Sequence, residues 1–181
     1  MQPFDGDAFE KMAERPMRMW VPVKSMNNPA DVYQGLRNMA LLASRDKVGL
    51  ASIQTPSTPW GVIMDWGVGG GHTATVAAFA DGSASIYLSN GGGFIGGAQS
   101  HDSIRHAGRQ MVEIAAECQP GAQLVESYPL PECGKVMFYF VTDVGVFSAA
   151  ASEDDLTVPS HPMSKLHRAA HEIIGRYRSL Q

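Results

Sequence analysis

The amino-acid sequence predicts an α+β domain. The expected core is a five-stranded, mainly antiparallel sheet in the order α-β-β-β-α-β-β-α, with the helices packed on the sheet. Three observations lead there. Between residues 60 and 89, short apolar runs alternate with glycine-rich turns, which is the pattern of hairpins rather than of βαβ units. Three longer segments, opening near residues 28, 100 and 162, repeat apolar residues every three or four positions behind capping residues. Finally, 181 residues that are 44% hydrophobic and 18% charged suffice for one good core and are too apolar for a disordered chain.

Residues 1–27 read as an N-terminal extension and residues 28–181 as a single α+β domain. Within the extension, Asp7–Arg15 suits a short helix that Pro16 ends. Met17–Val23 (MRMWVPV) alternates apolar residues but carries Pro22, so it suits an edge strand or extended arm. Asn28 then caps a helix with Pro29 in its first position and Asp31 in its first turn. That helix is expected to run to about Ser44, with Val32, Leu36, Met39 and Ala43 on one face.

WGVIMDW and TATVAAFA read as two strands joined across GVGGGH, and Asp81-Gly82 is a hairpin signal leading into SASIYLS. Ala84, Ile86 and Leu88 fall on one face of that third strand, with Ser85 and Tyr87 on the other. A helix capped by Ser100 or Asp102 follows, reaching about Cys118 with Ile104, Ala107, Met111, Ile114, Ala115 and Cys118 as its apolar stripe. After a Pro- and Gly-rich linker, KVMFYFVT is apolar on both faces and reads as the most buried, central strand. Asp143-Val144-Gly145 turns into VFSAAAS. The last helix starts near Pro162 and carries Met163, Leu166, Ala169, Ala170, Ile173 and Tyr177 on one face.

The same element order occurs in type III secretion chaperones, and related layouts occur in longin, roadblock and profilin-like domains. The analogy is one of layout: no motif specific to any of them is present, and layout alone does not carry function.

A net charge of -4 provides no general attraction for nucleic acid or an anionic membrane. No apolar leader opens the chain and no apolar run is long enough to span a bilayer, so a cytoplasmic protein is expected. Cys118 and Cys133 lack CxxC spacing, which points to neither a disulfide framework nor a zinc knuckle. No cofactor is implied.

The segment SNGGGFIGGAQS places five glycines in seven positions between a strand and a helix. Gly91-Gly92-Gly93-Phe94-Ile95-Gly96 satisfies GxGxxG, where backbone amides and a helix start approach a pyrophosphate. Against a dinucleotide site, the preceding strand belongs to a hairpin rather than a βαβ unit, and no carboxylate closes the next strand about twenty residues on. A P-loop is excluded because no Lys-Ser/Thr pair follows the glycines.

His167 and His171 stand four apart on the last helix and form a weak metal candidate, in the order HRAAHE rather than HExxH. Asp65, flanked by apolar residues, is the most unusual carboxylate: if buried it serves as an acid or base, and otherwise it caps a turn. Glu153, Asp154 and Asp155 read as a solvated loop. No nucleophile elbow or activated cysteine is present.

Small residues on both faces of the middle strands invite another layer, either a helix of this chain or a second subunit. The expected function is therefore that of a non-catalytic binding protein, an adaptor, chaperone-like or regulatory domain. It is expected to be homodimeric or to meet a protein partner, without nucleic acid or membrane. The alternative is a small-molecule or anion-binding protein, an enzyme among the options, with Gly91, Gly92, Gly93, Gly96, Gly97, His101 and Arg105 forming the site.

Overall fold

The computed structural model describes residues 28–50 and 55–180. The short helix expected at 7–15 and the arm at 17–23 lie outside the described residues. Within them the sheet has seven strands rather than the five expected, all antiparallel, accompanied by five α-helices. In chain order these are α1 (Pro29–Leu41), β1 (Gly61–Val68), β2 (His72–Phe79), β3 (Ala84–Leu88), β4 (Gly93–Phe94), α2 (Gly97–Ser100), α3 (Asp102–Cys118), β5 (Gln123–Val125), β6 (Lys135–Thr142), β7 (Gly145–Ser152), α4 (Glu153–Leu156) and α5 (Ser164–Arg178). The strand order is β4-β3-β2-β1-β6-β7-β5.

The two strands beyond the expected five are β4 and β5, which form the sheet's edges. Two and three residues long, they sit in the glycine segment and the proline-rich linker, too short for a period-two pattern to register. The middle of the sheet belongs to β1, with β6 beside it, so KVMFYFVT is next to central rather than central.

Alternate residues of β1 serve two separate cores. Val62, Met64 and Trp66 join Val76, Ile86, Phe138 and Phe140 on one face, under α3 and α5. Ile63 joins Ala77, Phe79, Tyr87, Tyr139 and Val141 on the other, under α1. The extra layer invited by the small side chains of β2 and β3 is therefore supplied on both faces by helices of this chain. The apolar stripes expected of α3 and α5 lie in the first core, with Ile114 and Ala169 at its margin.

Helix α1 departs from expectation. Its Asn28 cap forms as read, the side-chain Oδ1 accepting from the Ala30 amide at 3.1 Å. The residues it buries are Tyr33, Arg37, Ala40 and Leu41; of the expected stripe, Leu36 and Ala43 pack half-buried against the second core, Val32 is half-buried and Met39 is exposed. Polar side chains won the inward face because the sheet beneath offers them partners, described below.

Tyr177 of α5 locks the corner where β3, β4 and α2 meet. Its hydroxyl donates to the Ala84 carbonyl at 2.7 Å, and its ring packs on Phe94 with centroids 4.7 Å apart. Gly97 makes room for it: a Cβ there would stand 2.4 Å from Tyr177 Cε1. Since this ring is buried and hydrogen-bonded, Gly97→Ala is expected to cost roughly 1–3 kcal/mol of overpacking, measured by urea unfolding.

Candidate functional site

The chemistry-bearing residues gather in four places: the glycine segment, the sheet face under α1, the histidine pair on α5, and the β5 edge.

The glycine segment is first of all a hairpin. Gly91 N donates to the Leu88 carbonyl and Leu88 N to the Gly92 carbonyl, both at 3.0 Å, and Tyr87 then pairs with Gly93. Gly91 and Gly92 sit at φ +101° and +104°, a region open chiefly to glycine. At Gly93 a Cβ would fall 2.2 Å from the Ile86 carbonyl oxygen, so the residue's role is to bring β4 against β3. Gly96, at φ +79°, leads into α2.

Arg105 and His101 stand beside this segment at the start of α3. The Arg105 guanidinium donates to the Ala98 carbonyl at 2.8 Å and to Asp102 Oδ1 at 2.5 Å. Its cationic group thus ties α2 to α3. His101 occupies the N-cap position of α3 in extended backbone, with no side-chain capping bond, in place of the expected Ser100 or Asp102. The structure therefore gives the glycines conformational or packing reasons and divides the sequence-selected residues: Gly91 and Gly92 turn at one end of β3, whereas Arg105 packs by Gly82 at the other.

Beneath α1 lies a buried polar network. Asp65 of β1 is fully buried, and Arg37 of α1 is 2% exposed. Arg37 Nε and Nη2 both reach Asp65 Oδ2, at 2.8 and 2.6 Å, while Thr75 Oγ1 donates to Asp65 Oδ1 at 2.5 Å. Tyr33, one turn before Arg37, meets Thr75 Oγ1 at 2.8 Å. The linker between β5 and β6 closes the network: the Pro129 carbonyl accepts from Tyr139 Oη at 2.6 Å and from Arg37 Nη2 at 3.5 Å. The Arg37 guanidinium also lies over the Tyr139 ring, 5.5 Å from its centroid.

Burial pushes the Asp65 carboxyl up, with Arg37 and Thr75 pulling it back. Burial also pushes Tyr33 up to about 12, so its phenol stays protonated as a donor. A guanidinium does not shed its proton in proteins, and the Asp65 carboxylate answers it. Both oxygens of Asp65 are engaged by Arg37 and Thr75, so this carboxylate serves as an internal anchor for α1. Arg37, Tyr33 and Thr75 were not singled out by sequence. The available signal was a carboxylate inside an apolar strand, which demands a cation from elsewhere in the fold.

His167 and His171 do come together. Their Nε2 atoms face each other at 2.8 Å, so one ring carries its proton on Nε2 and the other on Nδ1. His171 packs edge-on against Trp66, whose indole N–H donates to Glu153 Oε2 at 2.8 Å. The acidic run 153–155 is therefore partly structural, and residues 153–156 form the turn of helix α4. Among the described residues no group of three metal-ligating side chains is found. Burial lowers His167 to about 4; burial, then His167 and Arg178, lower His171 to about 3.

At the far edge, among the described residues, β5 pairs with β7 on one side only. Leu124 is 59% exposed and Val144, in the β6–β7 turn, is 54% exposed. Leu124 extends over that turn, since a Cβ on Gly145 would meet Leu124 Cδ1 at 2.8 Å. Phe147 lies opposite Leu124 in the ladder. Among the described residues no helix is long and apolar enough to cross a membrane. Comparisons with models of known protein families, with curated proteins and with solved structures find no match for this chain.

Removing one partner of the buried pair strands the other. Arg37→Met is expected to cost about 3–5 kcal/mol, and Arg37→Met with Asp65→Leu to recover most of that loss, read from urea midpoints. The histidines make a separate prediction. Their folded pKa values of about 4 and 3 lie below the ordinary 6.5, so between those limits the unfolded chain binds more protons. Stability is fully present above pH 6.5 and is lost as pH falls through this window. The loss is roughly 2 kcal/mol per histidine by pH 5. Unfolding at pH 7.5 and 5 should show it, and His167→Gln with His171→Gln should flatten most of the difference.

Proposed function

We propose that this protein is a non-catalytic binding protein that self-associates through the β5 edge of its sheet. The observation that carries the reading is a short edge strand without charge or proline that carries an exposed apolar side chain. An edge presents unpaired backbone donors and acceptors, and proteins that must stay apart usually protect it with charge, proline or a bulge. Gln123-Leu124-Val125 has no charged residue or proline, and Leu124 with Val144 adds exposed apolar surface beside it.

A second copy suits this edge because antiparallel pairing about a twofold axis matches the strand with itself. Leu124 and its counterpart would then cover one another, extending the sheet across both protomers. An adaptor or regulatory domain built this way leaves its helical layers free for other contacts.

Sedimentation equilibrium of the full chain across the micromolar range is expected to show a concentration-dependent dimer. Leu124→Lys sets two ammonium groups against each other at the pairing line and is expected to give monomer with an unchanged circular dichroism spectrum. A wild-type chain that is monomeric throughout, or a dimer indifferent to Leu124→Lys, overturns the reading.

A further inference from the structure

Helix α1 has two apolar faces and the sheet accounts for one. Tyr33, Arg37, Ala40 and Leu41 turn inward. Val32, Leu36 and Met39 recur at intervals of four and three along another face, with Leu42 continuing it beyond the last turn. Val32 and Leu36 are half-buried, Leu36 at the margin of the second core, so the open part of the stripe is Met39, 73% exposed, and Leu42, 66% exposed, the two highest values among the exposed large apolar residues.

We propose that this outer stripe of α1 is the docking surface for residues 17–23 of the same chain. Position comes first: Asn28 caps α1, so the preceding residues join the fold at the start of this stripe. Composition comes second. Residues 1–27 hold five of the ten methionines together with Trp20, while the other two tryptophans, Trp60 and Trp66, are both buried. Met17, Met19, Trp20, Val21 and Val23 supply the flexible and aromatic apolar groups that an exposed Met–Leu surface matches.

Reach and charge agree. Thirteen helical residues of α1 span about 20 Å, and the eleven residues 17–27 extend to about 35 Å. Chain turning back from Asn28 can therefore cover the whole stripe. From Arg15 to Ala30 there is no acidic residue, and Arg15, Arg18 and Lys24 make the segment cationic. Asp31, next to Val32 in sequence, and Asp46, four residues past Leu42, are exposed acids on the flanks of the stripe's sequence. The surface lies on α1, apart from the β5 edge, and its occupant does not depend on self-association there.

Trp20 reports the contact. Acrylamide quenching of the full chain, with the Trp20→Phe signal subtracted, isolates its emission from that of Trp60 and Trp66. Its quenching constant is expected to be at least about threefold smaller in the folded chain than in the urea-unfolded chain, as for an aromatic ring taken out of water. Met39→Lys with Leu42→Lys should raise it to the unfolded value without moving the urea midpoint appreciably, since both residues lie outside the core. A Trp20 as quenchable folded as unfolded overturns the proposal, as does protection that survives the double substitution. Protection that disappears on dilution assigns the surface to a second copy's segment and overturns the intrachain form.

Discussion

A carboxylate in the middle of the central strand is the constraint on which the architecture turns. Asp65 lies between apolar neighbours on β1, with strands on both sides and a helical layer above. Burying a lone ion is far costlier than one helix can offset, so the fold must deliver a cation to that spot. Arg37 meets it from α1, and this fixes the helix in register and rotation. Tyr33 falls one turn earlier over Thr75, and the Pro129 carbonyl closes over Arg37 from the linker. One charge thereby orients a helix, a loop and the second face of the sheet. Such pairs contribute little net stability, but they penalise every arrangement in which the partners miss.

The glycine segment shows how the same residues can satisfy a ligand motif and a packing requirement. GxGxxG is defined by where a backbone must come close to something else. Here that something is the Ile86 carbonyl for Gly93 and the Tyr177 ring for Gly97. The Arg105 guanidinium expected to face an anion is instead directed at the Ala98 carbonyl and Asp102. Close approach is what the motif encodes, and protein atoms can fill that role as well as a phosphate.

How much could be read from the chain follows from the range of the forces involved. The Asn28 cap, the Asp81-Gly82 hairpin and the alternating faces of β3 are local, and each was legible. The short strands β4 and β5 were not, because their identity comes from the neighbour they pair with. The inward face of α1 is legible only in part for a related reason: hydrophobic periodicity selects Val32, Leu36, Met39 and Ala43, of which Leu36 and Ala43 border the second core, whereas the fully buried face is fixed by Asp65 on another element. Within the candidate site, the oddity of Asp65 was visible from its apolar flanks, but its partner Arg37, 28 positions away, was not. The histidine pair was visible from its spacing. That its two nitrogens face each other needed the helix packed on Trp66.

The strand order also bears on how the chain assembles. Read across the sheet, β4-β3-β2-β1 and β6-β7-β5 are two blocks, and within each every neighbouring pair but β5–β7 is joined by a short turn. They meet only at the seam between β1 and β6, where Asp65 pairs with Met137 and Ile63 with Tyr139. Hairpins close quickly because their ends are already near, whereas bringing β6 to β1 must first close the long connection through α3. By loop-closure entropy the seam is the costliest pairing of the sheet to close, and the contact of Pro129 with Arg37 depends on chain that lies within that connection. Because both cores draw side chains from the two blocks, Val62 with Phe140 on one face and Ile63 with Tyr139 on the other, closing this seam is also what completes each core.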